Sequence, residues 1–205
     1  MTRHEALEAL SRLVTTNDLF VSSIGGLWDD WWNLRPGGED NTFCPTVIGS
    51  VSSTALGLAL ALPHRRVVAL DTDGSMLMNA GILCTIGNAD PDNLTVIVFD
   101  NEMYETIGGL PTLTAGRTDL AGMARAAGCR ASTSERDLTR FTATADSMLN
   151  DGALGVLIAK IAPGGRPWPL ELRKPTDGVE DKYRFIRHVE RLEKISILRP
   201  TPTQG

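Results

Sequence analysis

The chain has 205 residues, which is room for one domain with a core of its own and hardly for two full-sized ones. Charged residues make up 22% and the formal net charge is −5, so no basic run is available to hold nucleic-acid phosphates. Cys44, Cys84 and Cys129 form no CxxC pair, which argues against a zinc or iron–sulfur site built from local pairs and suits a reducing, cytoplasmic compartment.

In chain order, Thr2 to Val14 reads as an amphipathic helix. Its apolar residues recur at helical spacing, and Thr2 with Glu5 makes a capping box. The N-terminal residues lack the basic flank and apolar run of a signal peptide. Leu19 to Ser22 is a short apolar strand stopped by Gly25-Gly26. Trp28 to Trp32 predicts a short helix closed by Arg35-Pro36-Gly37-Gly38. Ser50 to Leu62 is a small-residue helix, and its apolar stretch is far below the roughly 20 residues that cross a bilayer. Val67 to Leu70, Leu94 to Phe99 and Gly155 to Ile161 are unbroken apolar runs, as in buried parallel strands. Helices are predicted over Met76 to Ile86, Leu120 to Ala127, Arg136 to Leu149 and, with a polar character, Val179 to Lys194. Pro163 to Pro175 reads as an irregular connection, and the last seven residues as a frayed tail. This alternation argues an α/β three-layer sandwich with a mostly parallel central sheet, one domain over residues 1–195 and a tail over 196–205.

In such sheets ligands lie beyond the carboxyl ends of the strands. Asp73-Gly74-Ser75 sits at one such end, where a helix begins. Free N–H groups there suit phosphate, Gly74 permits close approach, and Ser75 adds a hydroxyl. Asp73 would repel phosphate unless a divalent cation lay between them. Asn101, 28 residues on, ends the neighbouring strand and offers an amide oxygen as a second ligand. Taken singly, these residues read equally as a helix cap and a turn.

Asp73-Gly74-Ser75, an apolar helix, a buried strand and then Asp100-Asn101-x-x-Tyr104 resemble the signature of thiamine-diphosphate enzymes, Gly-Asp-Gly followed by Asn-Asn. Ile48-Gly49-Ser50-Val51-Ser52 with the helix after it resembles that family's Gly-Ser-Met-Gly stretch. The run from Asn101 to Thr112 is similar to the β-type small subunits of sulfopyruvate decarboxylase and the matching half of phosphonopyruvate decarboxylase. The resemblance covers roughly Leu7 to Ile195. It implies a diphosphate-binding domain using thiamine diphosphate and magnesium. Asp73, the Asn101 side chain and the Met103 carbonyl would hold the metal. Gly25, Gly26, Gly74 and Ser75 would lie at the diphosphate. The Gly49 carbonyl, with Ser50 beside it, would accept from the aminopyrimidine, and Val51 would be the apolar wedge. Tyr104, Glu105 and Thr106 complete the cofactor loop. The activity implied is decarboxylation of a small 2-oxo acid.

Several positions depart from that pattern. Thr72 replaces the first Gly, Asp100 the first Asn, Ser52 a Gly and Leu110 a Gln, and Val51 is smaller than usual. The Trp28 to Trp32 cluster reads as core or interface packing or as pocket lining. Arg166, Arg173 and Lys174 are candidates for an anionic substrate group. Thiamine-diphosphate enzymes need a second, pyrimidine-binding domain bearing an activating Glu, and no such domain fits in this length. The resemblance therefore implies an α-type partner subunit and a hetero-oligomer such as α2β2 or larger. The alternatives are an acetolactate-synthase-like carboligase subunit, a subunit of a 2-oxoacid:ferredoxin oxidoreductase, a catalytically inactive cofactor-binding regulatory subunit, and a phosphoacceptor domain built on Asp71 and Asp73.

Overall fold

The computed structural model describes residues 1–35, 39–165, 168–173 and 177–198. The expected tail over the last seven residues, and Pro36 to Gly38, lie outside them. A six-stranded, all-parallel sheet has the order β2-β1-β3-β4-β8-β7, with β1 Leu19–Ser22, β2 Thr42–Phe43, β3 Val67–Thr72, β4 Leu94–Asp100, β7 Ala131–Glu135 and β8 Gly155–Lys160. A two-stranded antiparallel ribbon, β5 Met103–Tyr104 and β6 Leu110–Pro111, stands apart from it.

The central strands lack polar alternation because helices cover both faces. Along β3, Val67 and Ala69 pack to one side and Val68 and Leu70 to the other. The first face is covered by α3 Val51–Ala61, α4 Asp73–Met78, α5 Ile82–Ala89, α6 Leu120–Ala126 and α8 Gly178–Glu193. The second is covered by α1 Arg3–Ser11, α2 Gly26–Leu34 and α7 Leu138–Asn150. The capping box at Thr2 and Glu5 forms as expected. Among the described residues no helix is long and apolar enough to cross a membrane.

The predicted helix over Met76 to Ile86 is two helices. Asn79 ends α4, and its side chain donates to the Gly49 carbonyl at 3.0 Å, which holds the chain out of helical register. The C-terminal helix is amphipathic rather than simply polar, burying Asp181, Phe185 and Val189, with Phe185 against Phe43 at 5.8 Å between ring centres. Strand β7 was not expected, because Ala131–Glu135 is a polar edge strand with no apolar run to betray it.

Chain direction in the sheet reverses between β1 and β3. From β1 the chain moves outward to β2, then crosses back and continues through β3 to β4 on the other side. The carboxyl ends of β1 and β3 therefore border a crevice.

Candidate active site

A cavity of about 310 Å³ opens at that crevice. Its walls come from the segment after β1, including Gly25 and Gly26, from the β3–α4 turn with Asp73, Gly74 and Ser75, and from the end of β4 with Asn101, Met103, Tyr104, Glu105 and Thr106. Ten of the sequence-predicted site residues thus meet around one space. Gly49, Ser50 and Val51 do not line it; their neighbour Ile48 does. Val51 is 1% exposed and packed in the core, so its place is beneath the site rather than in it.

Asp73 is 1% exposed. Its Oδ2 accepts from the Thr112 hydroxyl at 2.6 Å, with the Thr114 hydroxyl oxygen 3.3 Å away. Burial raises its pKa; the Thr112 bond works the other way, and nearby Asp100 adds to the rise. Asn101 Oδ1 accepts from the Met103 N–H at 3.1 Å, which folds the chain so that the Met103 backbone follows directly behind the amide. Carboxylate, amide and peptide carbonyl form an all-oxygen donor set, the chemistry a hard cation such as magnesium requires. Gly74 has to be glycine, since a Cβ there would collide with the Tyr104 ring. Gly25 has φ +97°, a conformation that favours glycine, and caps α2.

Other predicted residues take different partners from those expected. The Ser75 N–H is capped by Thr72 Oγ1 at 3.3 Å, and the Ser75 hydroxyl accepts from the Gly49 N–H at 3.1 Å. Ser75 therefore fastens the Gly49 turn to the floor of the site. The space above Gly26 is filled by Arg3, whose Nη2 lies 2.6 Å from where a Cβ would be. Arg3, unremarked in the sequence, pairs with Asp30 at 2.6 Å and with Glu105 at 3.2 Å, while Trp168 Nε1 donates to Asp30 at 2.6 Å. Glu105 also accepts from the Gly164 N–H. Its carboxylate is thus engaged in holding the loop.

Thr112 and Thr114 are the site residues that sequence reading missed, together with Lys160. Thr114 donates to Asp100 at 2.8 Å, and Lys160 Nζ lies 2.6 Å from Asp100 and 3.1 Å from Glu102. Burial opposes the Lys160 charge, but its bonds to the two carboxylates prevail and raise its pKa. The pairing of β4 with β8 sets Lys160 beside Asp100, and the segment after β6 brings Thr112 and Thr114 back to the ends of β3 and β4.

The tryptophans are packing. Trp28 and Trp31 are each 1% exposed, Trp31 stacks obliquely on Phe20 at 4.8 Å, and Arg35 lies over both Phe20 and Trp31. Arg173 is exposed, bonded to the Trp168 carbonyl and away from the cavity; Arg166 and Lys174 lie outside the described residues. Asp71 points away from the cavity and accepts from Ser52 at 2.8 Å, so it forms no metal pair with Asp73 as a phosphoacceptor would need. Among the described residues no group of three or more His, Cys, Asp or Glu side chains could hold a metal.

Residues 35–158 match the family model for the C-terminal TPP binding domain of thiamine pyrophosphate enzymes. The chain is also 31% identical to the sulfopyruvate decarboxylase subunit beta of Methanocaldococcus jannaschii, over 92% of its own length and 97% of that protein's. The chain belongs to the thiamine pyrophosphate enzymes. Within that family it is 30% identical to the corresponding subunit of Methanococcus maripaludis. It is 37% identical to phosphonopyruvate decarboxylase of Streptomyces viridochromogenes, over 81% of this chain but only 42% of that one. Two solved decarboxylases, the second of them thiamine diphosphate-dependent, share the fold. They are benzoylformate decarboxylase from Polynucleobacter necessarius, with TM-score 0.65 and 19% identity, and 4-hydroxybenzoylformate decarboxylase from Rhodococcus jostii, with TM-score 0.69 and 20% identity. The chain covers 80% and 79% of itself in these likenesses, and about a third of either structure, 34% and 33%.

Proposed function

We propose that this chain is the diphosphate- and magnesium-binding half of a two-component thiamine-diphosphate-dependent 2-oxo acid decarboxylase, working in the cytoplasm with an α-type pyrimidine-binding subunit. One observation carries the reading: Asp73, Asn101 and Met103, on the ends of adjacent strands, surround one cavity in a chain that matches a decarboxylase beta subunit along nearly its whole length.

Asp73, Asn101 and the Met103 carbonyl would hold magnesium, and Gly25 and Gly74 would give the diphosphate room. When bound, the cofactor supplies an electron sink for the bond to the departing carboxylate. The chain's own work is positioning. Thr112 holds the Asp73 carboxylate, the Met103 N–H fixes the Asn101 amide in a turn, and Ser75 with Asn79 fixes the Gly49 peptide, whose carbonyl would serve the aminopyrimidine. The apolar wall excludes water from the reacting centre.

The partner is inferred from the beta-subunit relatives and from the cavity's rim. Ile48, Met78 and Ile107 border the cavity at 50%, 56% and 62% exposure, an apolar edge suited to being covered by another subunit. The test is a decarboxylation assay with thiamine diphosphate, magnesium and a panel of small 2-oxo acids, including the sulfonated and phosphonated ones. The chain alone should be inactive, and activity should appear on co-purification with a pyrimidine-domain subunit. Turnover by the chain alone would contradict the two-component reading.

A further inference from the structure

Two carboxylates meet behind the cavity, and only one is a metal ligand in the reading above. Asp73 follows β3 and Asp100 ends β4, and each is 1% exposed. Like charges buried side by side repel. Between them stand two hydroxyls: Thr112 Oγ1 lies 2.6 Å from Asp73 Oδ2 and 2.8 Å from Thr114 Oγ1, which lies 2.8 Å from Asp100 Oδ1. With one proton each, the two hydroxyls can donate once to each carboxylate, Thr112 to Asp73 and Thr114 to Asp100, and they pack the acids together without neutralising them.

The neutralising charge comes from the next strand. Lys160 ends β8 in direct register with Asp100, and its Nζ is 2.6 Å from Asp100 Oδ2. Asp100 Oδ1 also accepts from the Glu102 N–H at 3.1 Å. Glu102 is the residue between Asn101 and Met103, and its φ of +64° is the left-handed geometry that the turn imposes. Asp100 therefore reaches the cation site by two routes. Through Thr114 and Thr112 it braces the Asp73 carboxylate, and through Glu102 it braces the turn that carries the other two oxygens. An asparagine, which the wider family signature has at this position, would offer Thr114 the same acceptor without charge; here the charged residue comes with a lysine.

We infer that Asp100 and Lys160 are a charge-matched pair of positioning residues for the divalent cation, with Thr114 as the link between that pair and Asp73. The inference rests on the reading of Asp73, Asn101 and Met103 as the metal site. Asp100 fixes the three oxygens, and Lys160 keeps the second buried carboxylate from adding its charge to the site.

The experiment titrates Mn2+ into the chain co-purified with its partner, in the presence of thiamine diphosphate, with bound metal read by electron paramagnetic resonance and folding checked by thermal melting. Asp100→Asn leaves the Lys160 cation beside the site with Glu102 as its one remaining carboxylate partner among the described residues, and should weaken Mn2+ binding roughly tenfold or more, the loss usual when a metal ligand's outer partner is removed. Adding Lys160→Met should restore affinity to within about threefold of the parent, because the two charges leave together. Should Asp100→Asn fail to fold, Thr114→Val tests the same link with no change of charge: it should weaken Mn2+ binding, while Thr114→Ser, which keeps the hydroxyl, should not. Parent-like affinity in both Asp100→Asn and Thr114→Val, or no recovery in the double variant, overturns the inference. Asp73→Ala separates the two levels: if it alone abolishes Mn2+ binding, the metal site stands without its braces, and if it too leaves binding unchanged, the site reading itself fails.

Discussion

Ser52 and Asp71 compensate each other. The family pattern has glycine at the first position, and in sequence the serine reads as a departure, yet its hydroxyl donates to a carboxylate that is 1% exposed. Removing it in Ser52→Ala leaves Asp71 a partner short and should cost about 1–3 kcal/mol, read as a lower urea midpoint; unchanged stability would show that its remaining partners, Ser75 and the Ser52 and Thr72 backbone, suffice. Gly74 and Tyr104 were both expected at the site, but not their contact: the Tyr104 ring lies where a side chain at position 74 would go. Gly74→Ala should push that ring out, at about 1–3 kcal/mol of overpacking, and weaken thiamine diphosphate binding with it. Calorimetry showing parent-like affinity would remove Tyr104 from the site. Thr112, Thr114, Lys160 and Arg3 were illegible for a common reason. Each acts through a hydrogen bond or ion pair to a residue between 14 and 102 positions away, and only the tertiary fold brings them together.

At the scale of elements, the strands that were read correctly are those covered on both faces, since double burial writes an unbroken apolar run. Strand β7 at the edge, the two-residue β2 and the β5–β6 ribbon leave no such trace. The N-terminal helix was legible as amphipathic, but its function in the site was not. Arg3 ties α1 to α2 through Asp30 and to the cofactor loop through Glu105. In Arg3→Met, Asp30 becomes a buried carboxylate without its cation. The cost should be about 3–5 kcal/mol, with faster proteolytic cleavage between residues 103 and 111. Cleavage at the parent rate would show that the loop stands without this tie. Helix α8 carries a pH dependence of its own. His188 Nε2 is buried with no hydrogen-bond partner among the described residues, and burial, reinforced by Arg191, lowers the His188 pKa below 6.5. The folded chain thus resists protonation there more than the unfolded chain does. This contribution to stability is complete above pH 6.5 and is lost as the pH falls through the lowered folded value. Thermal melts between pH 7.5 and 5.5 should fall for the parent by a few degrees more than for His188→Gln. Parallel curves would place the acid sensitivity elsewhere.

The whole molecule is one α/β unit with its cavity open on an apolar rim. The solved structures that share the fold are more than twice as long, and the chain matches the beta subunits of sulfopyruvate decarboxylase from Methanocaldococcus jannaschii and Methanococcus maripaludis over nearly their whole length. The central claim is that Asp73 anchors a magnesium-dependent diphosphate site in this half of a shared active centre. Its most direct test is a calorimetric titration of thiamine diphosphate into the chain co-purified with its partner, with and without magnesium, in the parent and in Asp73→Ala. The account predicts tight binding that requires magnesium in the parent and is lost in the variant. Binding of equal affinity in the two proteins, or binding indifferent to magnesium, would contradict it.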